Sequence, residues 1–344
     1  MRNFAAFCLL AVASVASAQQ QPSPIELDAI AVTGTQPGPG LWKVSNADHV
    51  LWILGTSSPL PRDIDWRSRE IEARIGESQE VLTGTEVRVK PNAGFFGTVA
   101  LLPSLIGVRN NPDHALLRDV VAPEQYARWQ VLKRKYIGHS NRIEKWRPIF
   151  AATELYLAAL DKNRLTGTDY VRKAVLNAAK RNHVPVTTPT FELVIDKPRE
   201  AIQEFKADAI ADDECFRTML ERIDSDLATM TARANAWATG DVAALRKLPQ
   251  SDGMAVCAAA FSESRLARER GITDLPARVT QTWFDAANAA LARNRSTVAM
   301  LSMRQLLAED GPLAQFRALG YAIETPEEDN AELAGVAAHD DAMR

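Results

Sequence analysis

Side chains able to do chemistry are sparse in this sequence, and the densest group follows one apolar run. Val50-Leu51-Trp52-Ile53-Leu54 leads into Gly55-Thr56-Ser57-Ser58. A glycine turn after a strand is a place where nucleophiles are found, which makes Ser57 and Ser58 candidates. No Gly-x-Ser-x-Gly elbow surrounds them and no base can be identified. They read as loop hydroxyls that can still serve a binding cleft. The histidines, His49, His114, His139, His183 and His339, form no His-Glu-x-x-His pair, and none stands near another His or Cys at ligand spacing. They read as isolated surface or capping residues.

Between Arg128 and Arg147, the cations Lys133, Arg134, Lys135, Arg142, Lys145 and Arg147 are interleaved with Trp129, Tyr136 and Trp146, against the single Glu144. Two readings stand. The stretch can contact an acidic polysaccharide, lipid headgroups or an acidic partner, or it is a solvated helix face with its aromatics turned inward. Cys8 lies in the first apolar run, which leaves Cys215 and Cys257. They pair if the compartment is oxidising, and closing that loop would stabilise by roughly 3–4 kcal/mol in the chain-entropy model. The competing reading is two buried free thiols on separate helices.

The elements that must position these residues follow from the rest of the pattern. The 344 residues are 46% hydrophobic and 24% charged, with a formal net charge of −3, which is globular composition with no bulk drive toward nucleic acid. Arg2, the apolar run Phe4–Val15 and Ala16-Ser17-Ala18 read as a signal peptide, residues 1–18, cleaved before Gln19. The expected location is therefore the periplasm or outside the cell. No later stretch is long and apolar enough to span a bilayer. Residues 19–40, rich in Gln, Pro and Gly, read as a flexible leader with a short strand candidate at Leu27–Thr35. Residues 326–344 read as an acidic, disordered tail.

From Leu41, two apolar runs around Asn46-Ala47-Asp48 predict a hairpin, whose second strand is apolar enough to be buried on both faces. A helix from about Trp66 to Ile75 and a strand over Val81–Val89 follow. Pro103 to Asn235 is mostly helical. Within it Asp169–Arg181 carries Val171, Ala174, Val175, Ala178 and Ala179 at core spacing, with Thr168 as N-cap and Asn182 as stop. Val184-Pro185-Val186 predicts a short strand, Ala207–Trp237 a long charged helix, and Val242–Leu248 a short one after Gly240-Asp241. Thr297–Leu301 reads as a buried strand. Glu309-Asp310-Gly311-Pro312 opens a last helix, and Tyr321-Ala322-Ile323 returns as a strand. Together these predict an α+β fold, a mixed β-sheet built from strands near both ends of the chain and covered by a large helical middle region.

From about Leu41 to Thr325 the sequence resembles the TraB/GumN family. The resemblance is carried by Leu41-Trp42-Lys43-Val44 with Leu51-Trp52-Ile53-Leu54-Gly55-Thr56, by Gly167-Thr168-Asp169, by Trp237-Ala238-Thr239-Gly240-Asp241, and by Thr297-Val298-Ala299-Met300-Leu301 through Gly311 to Leu319-Gly320-Tyr321. It implies a domain over 41–325. In the family, chemistry is thought to rest on two Gly-x-x-His turns and a strand-end glutamate, a set that can hold a divalent metal and activate water. Here Ser58 stands in the place of the first histidine. The second turn is Ser302-Met303-Arg304-Gln305, with Gln305 in the histidine's place, and Gly84 stands for the glutamate. Thr187 to Thr190, where a further acidic residue is expected, is not acidic.

Hydroxyl and amide oxygens are poor ligands for zinc-like ions, so the resemblance implies a degenerate, non-catalytic relative with no metal cofactor. Gly55, Ser57, Ser58, Glu86, Ser302 and Gln305 remain as cleft candidates, and the role implied is binding or structural, in the cell envelope. The partners implied are an envelope protein, a peptide or an acidic polysaccharide. The alternative is a divalent-metal hydrolase or peptidase with altered residues, for which Glu86, two positions from Gly84, is the substitute to consider.

Overall fold

The computed structural model describes residues 36–326 apart from positions 63, 168–169, 208–209, 250–256, 258–261 and 263–264. The signal-peptide reading, the Leu27–Thr35 strand, the Thr168 cap and the tail past Pro326 lie outside the described residues.

The predicted hairpin is present. Strands β1 (Leu41–Asn46) and β2 (His49–Thr56) pair antiparallel from Leu41↔Leu54 to Asn46↔His49. Ala47 closes the turn in left-handed backbone, φ 52°, the conformation tight hairpins require. Ile53, Leu54 and Gly55 are buried in succession, so both faces of β2 are covered. Along β2, β9 (Ser296–Ser302) runs parallel from Val50↔Ser296 to Thr56↔Ser302. Beyond it β4 (Glu80–Leu82) and β7 (Val186–Thr187) add parallel, and β10 (Ala322–Glu324) closes the far edge antiparallel to β1. The order β10-β1-β2-β9-β4-β7 is the mixed sheet expected, drawn from both ends of the chain.

One predicted strand is two. Val81–Val89 divides at Thr83-Gly84-Thr85, and the second half, β5 (Glu86–Pro91), leaves the sheet to pair parallel with β8 (Thr190–Ile195). The reason lies in the side chains. Glu80–Leu82 is wholly buried, whereas Glu86–Lys90 is wholly exposed. Between them the Thr83 hydroxyl donates to Thr188 Oγ1 at 2.9 Å and the Thr85 hydroxyl to Val279 O at 3.1 Å, which ties down the bend. A further small pair joins β3 (Leu60–Pro61) to β6 (Leu165–Thr166).

The middle is helical as expected. Helices α1 (Arg69–Gly76), α2 (Gly94–Leu105), α3 (Leu117–Val120), α4 (Pro123–Tyr136) and α5 (Pro148–Lys162) precede α6 (Tyr170–Arg181), α7 (Pro198–Ala207) and α8 (Ile210–Thr239). After them come α9 (Val242–Lys247), α10 (Arg265–Glu269), α11 (Leu275–Arg293), α12 (Met303–Leu306) and α13 (Pro312–Ala318). The first begins three residues later than predicted, because Trp66 is held in a bridge with Gln36. In α6, Val171, Val175, Ala178 and Ala179 are buried. The Asn182 amide then donates to Ala178 O at 2.9 Å, and His183 turns left-handed at φ 56°, which ends the helix.

The last residues of the leader, 36–40, are fixed in place: Gly38 N–H donates to Ala238 O at 2.9 Å, and Gln36 N–H to Asp65 O at 2.8 Å. Cys215 and Cys257 form a disulfide with Cα atoms 4.7 Å apart, so of the two open readings the free thiols fall.

Candidate functional site

β2, β9, β4 and β7 are parallel neighbours, so their C-terminal ends lie along one edge of the sheet, where ligands of such sheets bind. Gly55 and Thr56 at the tip of β2 stand beside Leu301 and Ser302 at the tip of β9. The chain leaving these tips carries Ser57 and Ser58 after β2, Gln305 after β9, Gly84 after β4 and Thr188 after β7. Ser58, Gly84 and Gln305 therefore follow three adjacent strand ends.

The glycine of the first turn has a packing reason. A Cβ on Gly55 would sit 2.6 Å from Met303 Sδ and 3.1 Å from Leu306 Cδ2, so a side chain at the turn must displace those of Met303 and Leu306. Its carbonyl accepts from Trp237 Nε1 at 2.8 Å, an indole fully buried beneath it. The Trp237–Asp241 segment thus holds the turn up from below. Gly240 takes φ 73°, with Gly38 O only 2.6 Å from where its Cβ would be, and Asp241 caps α9 by accepting from Ala244 N–H at 2.8 Å. The sequence alone marks this segment as a helix break; its contact with Gly55, 182 residues away, is written in no local pattern.

Gln305 is spoken for at both ends of its amide. Ser302 Oγ donates to its Oε1 at 2.6 Å, and its Nε2 donates to Thr280 Oγ1 at 2.8 Å. Ser302 also caps α12, accepting from Gln305 N–H at 3.3 Å. Thr280, from α11, is a member of this edge that sequence reasoning missed, since nothing near it in the chain marks it. Ser58 is exposed and precedes a cis peptide bond to Pro59. Ser57 is half-buried. At Gly84 the position is open: a Cβ would meet nothing within 4 Å. Glu86 is exposed at the start of β5 and receives both Arg88 Nε at 3.3 Å and Arg88 Nη2 at 3.2 Å. It does not share Gly84's strand.

A different carboxylate carries the electrostatic tension of the sheet. Glu80 begins β4, at the opposite end from the tips, and is almost wholly buried. Burial pushes its carboxyl up, but hydrogen bonds from Thr187, Arg293 and Asn294, with the Arg293 charge, outweigh that and hold it below the usual range. The bonds measure 2.5 Å from Thr187 Oγ1, 2.6 Å from Arg293 Nη2 and 2.8 Å from Asn294 Nδ2. Glu80 is a clamp between β4, β7 and the end of α11.

The basic stretch is smaller than its composition implies. Lys133 is buried and donates to Glu144 at 2.6 Å; Arg147 is buried and donates to Asp212 at 2.7 Å. Neither can meet an acidic ligand from solvent, because each neutralises a carboxylate of the helical cover. Lys135 is exposed but bonded to Asp224 at 2.7 Å. Arg134, Arg142 and Lys145 remain exposed.

The donors at the strand tips do not fit a divalent metal: one hydroxyl, one glycine and one amide already bonded twice. Among the described residues, no three His, Cys, Asp or Glu side chains stand together as a metal site. What remains is a rim of neutral hydrogen-bonding groups on a parallel strand edge. Fold and edge define the chain's class as an α+β protein with a mixed sheet whose parallel strand tips lie along one edge. The TraB/PrgY/gumN family model matches residues 40–325, and the chain belongs to that family. No curated protein and no solved structure gave a match.

Proposed function

We propose that this chain is an exported, non-catalytic member of the family whose strand-tip cleft serves binding or a structural role in the cell envelope. The observation that carries the reading is the donor set at the tips. Ser58 and Gln305 stand where imidazoles are expected and Gly84 where a carboxylate is expected, and the Gln305 amide is occupied by Ser302 and Thr280. Export is supported by the signal-peptide pattern of residues 1–18 and by the Cys215–Cys257 disulfide, a bond that persists in oxidising compartments. The ligand class is a peptide, a segment of an envelope protein or a polysaccharide, met by neutral hydroxyls such as those of Ser57 and Ser58.

The test is elemental analysis of the purified protein after dialysis, with thermal melts in the presence and absence of EDTA and a screen against unfolded peptides. The expected result is substoichiometric metal, a melting temperature indifferent to EDTA, and no cleavage. One divalent metal per chain, with a lower melting temperature in EDTA, overturns the proposal.

A further inference from the structure

α2 is turned inside out. The positions it directs inward are Gly97, Leu101 and Ser104, of which only Leu101 is both large and apolar. Outward it presents Phe95 at 77% exposure, Phe96 at 84% and Leu102 at 60%, with Val99 between them and Ile106, at 77%, just past its end. The spacing 95, 99, 102, 106 is one face of a helix. An apolar stripe left in water marks an interaction surface.

Its flank is basic. On α7, Arg199 Nη2 donates to Ala100 O at 3.4 Å and Lys206 Nζ to Ile106 O at 2.9 Å, so both cations lie against the α2 backbone. Neither has a carboxylate partner among the described residues. The glutamates of the same helix are engaged elsewhere, Glu200 with Lys197 at 3.3 Å and Glu204 with Arg270 at 2.8 Å.

We propose that α2 is an interfacial anchor that beds its aromatic and aliphatic stripe into an anionic lipid surface, with Arg199 and Lys206 facing the headgroups. Its 12 residues span about 18 Å, well short of the roughly 30 Å hydrocarbon core, so the helix lies in the interface rather than across it. A second copy of the chain is the poorer occupant. A strip of that length and about 10 Å width offers on the order of 200 Å², against about 800 Å² per partner in a stable complex.

The test is flotation with vesicles of phosphatidylcholine alone and of phosphatidylcholine mixed with phosphatidylglycerol. Every comparison is between chains with the same N-terminus, so any contribution of the N-terminal apolar run cancels. The native protein floats with the anionic vesicles. Phe95→Ser/Phe96→Ser/Leu102→Ser lowers the partition coefficient by about a hundredfold or more while its melting temperature holds, since all three side chains are exposed. Arg199→Gln/Lys206→Gln lowers it by about tenfold on anionic vesicles and leaves the neutral ones unaffected. Native protein that does not float, or a triple variant that floats equally well, overturns the proposal. So does a native dimer that the triple variant converts to monomer without either floating, which assigns the face to a second copy.

Discussion

Lys133 and Lys145 look alike in the sequence, two cations of one basic stretch, and the structure predicts opposite fates for them. The Lys133 side chain is 5% exposed and its ammonium lies 2.6 Å from Glu144, itself 10% exposed. Replacing Lys133 with Met leaves the Glu144 carboxylate buried without its counter-charge, which costs about 3–5 kcal/mol in comparable pairs. Three other donors remain on Glu144, Trp129 Nε1 at 3.2 Å, Gln130 Nε2 at 3.3 Å and Tyr126 OH at 3.3 Å. They soften the loss toward the lower bound, about 3 kcal/mol. Lys145→Met, at an exposed position, stays within about 0.5 kcal/mol of native. Lys133→Met/Glu144→Gln removes both charges but keeps an acceptor for the Trp129 indole, and it recovers most of the loss. Urea titrations followed by circular dichroism, with the m-value checked for constancy, supply all three numbers. If Lys133→Met and Lys145→Met differ by less than about 1 kcal/mol, the cover is not held by this pair and the reasoning fails.

Glu80 predicts a pH dependence with a definite sign. Its folded carboxyl ionises below the ordinary value of 4.5, so the unfolded chain takes up a proton first as pH falls. The stabilisation is complete above that value and is lost below it, as pH drops through the folded value. Glu80→Gln should lower stability by about 2 kcal/mol at neutral pH and flatten the acid limb; native and variant curves that stay parallel down to unfolding would count against it. The two glycines of the strand edge should also part company. Gly55→Ala must displace Met303 and Leu306 and costs about 1–3 kcal/mol, whereas Gly84→Glu enters open space and stays within about 0.5 kcal/mol of native. Denaturation midpoints in the reverse order would refute the packing account of that edge.

How far the sequence could be read follows from the range of the forces involved. The β1–β2 hairpin, α6 and β9 were legible because each is specified by neighbours in the chain: an Asn-Ala-Asp turn between apolar runs, core spacing behind a polar start, four consecutive apolar residues after Thr297. The division of Val81–Val89 was not, because Glu86–Pro91 has strand character in either arrangement. What decides is that Thr85 bonds to Val279 and Thr83 to Thr188, partners more than 100 residues away.

The same distinction governs the site. Family resemblance identified Ser58, Gly84 and Gln305 as the strand-tip positions, and the parallel register of β2, β9 and β4 puts their strand ends side by side. It could not reveal that Gln305 is tied to Thr280, or that Gly55 is kept bare by Met303. Charge was the least legible property. A lysine at 133 and a lysine at 145 belong to one basic stretch, and only the fold brings the Glu144 carboxylate, 11 residues on, to 2.6 Å from the first. Composition counts cations; burial decides which of them can meet a partner. By that measure Arg134, Arg142 and Lys145 remain of the basic stretch, while Arg199 and Lys206, unremarkable in sequence, stand beside α2, whose apolar stripe faces water.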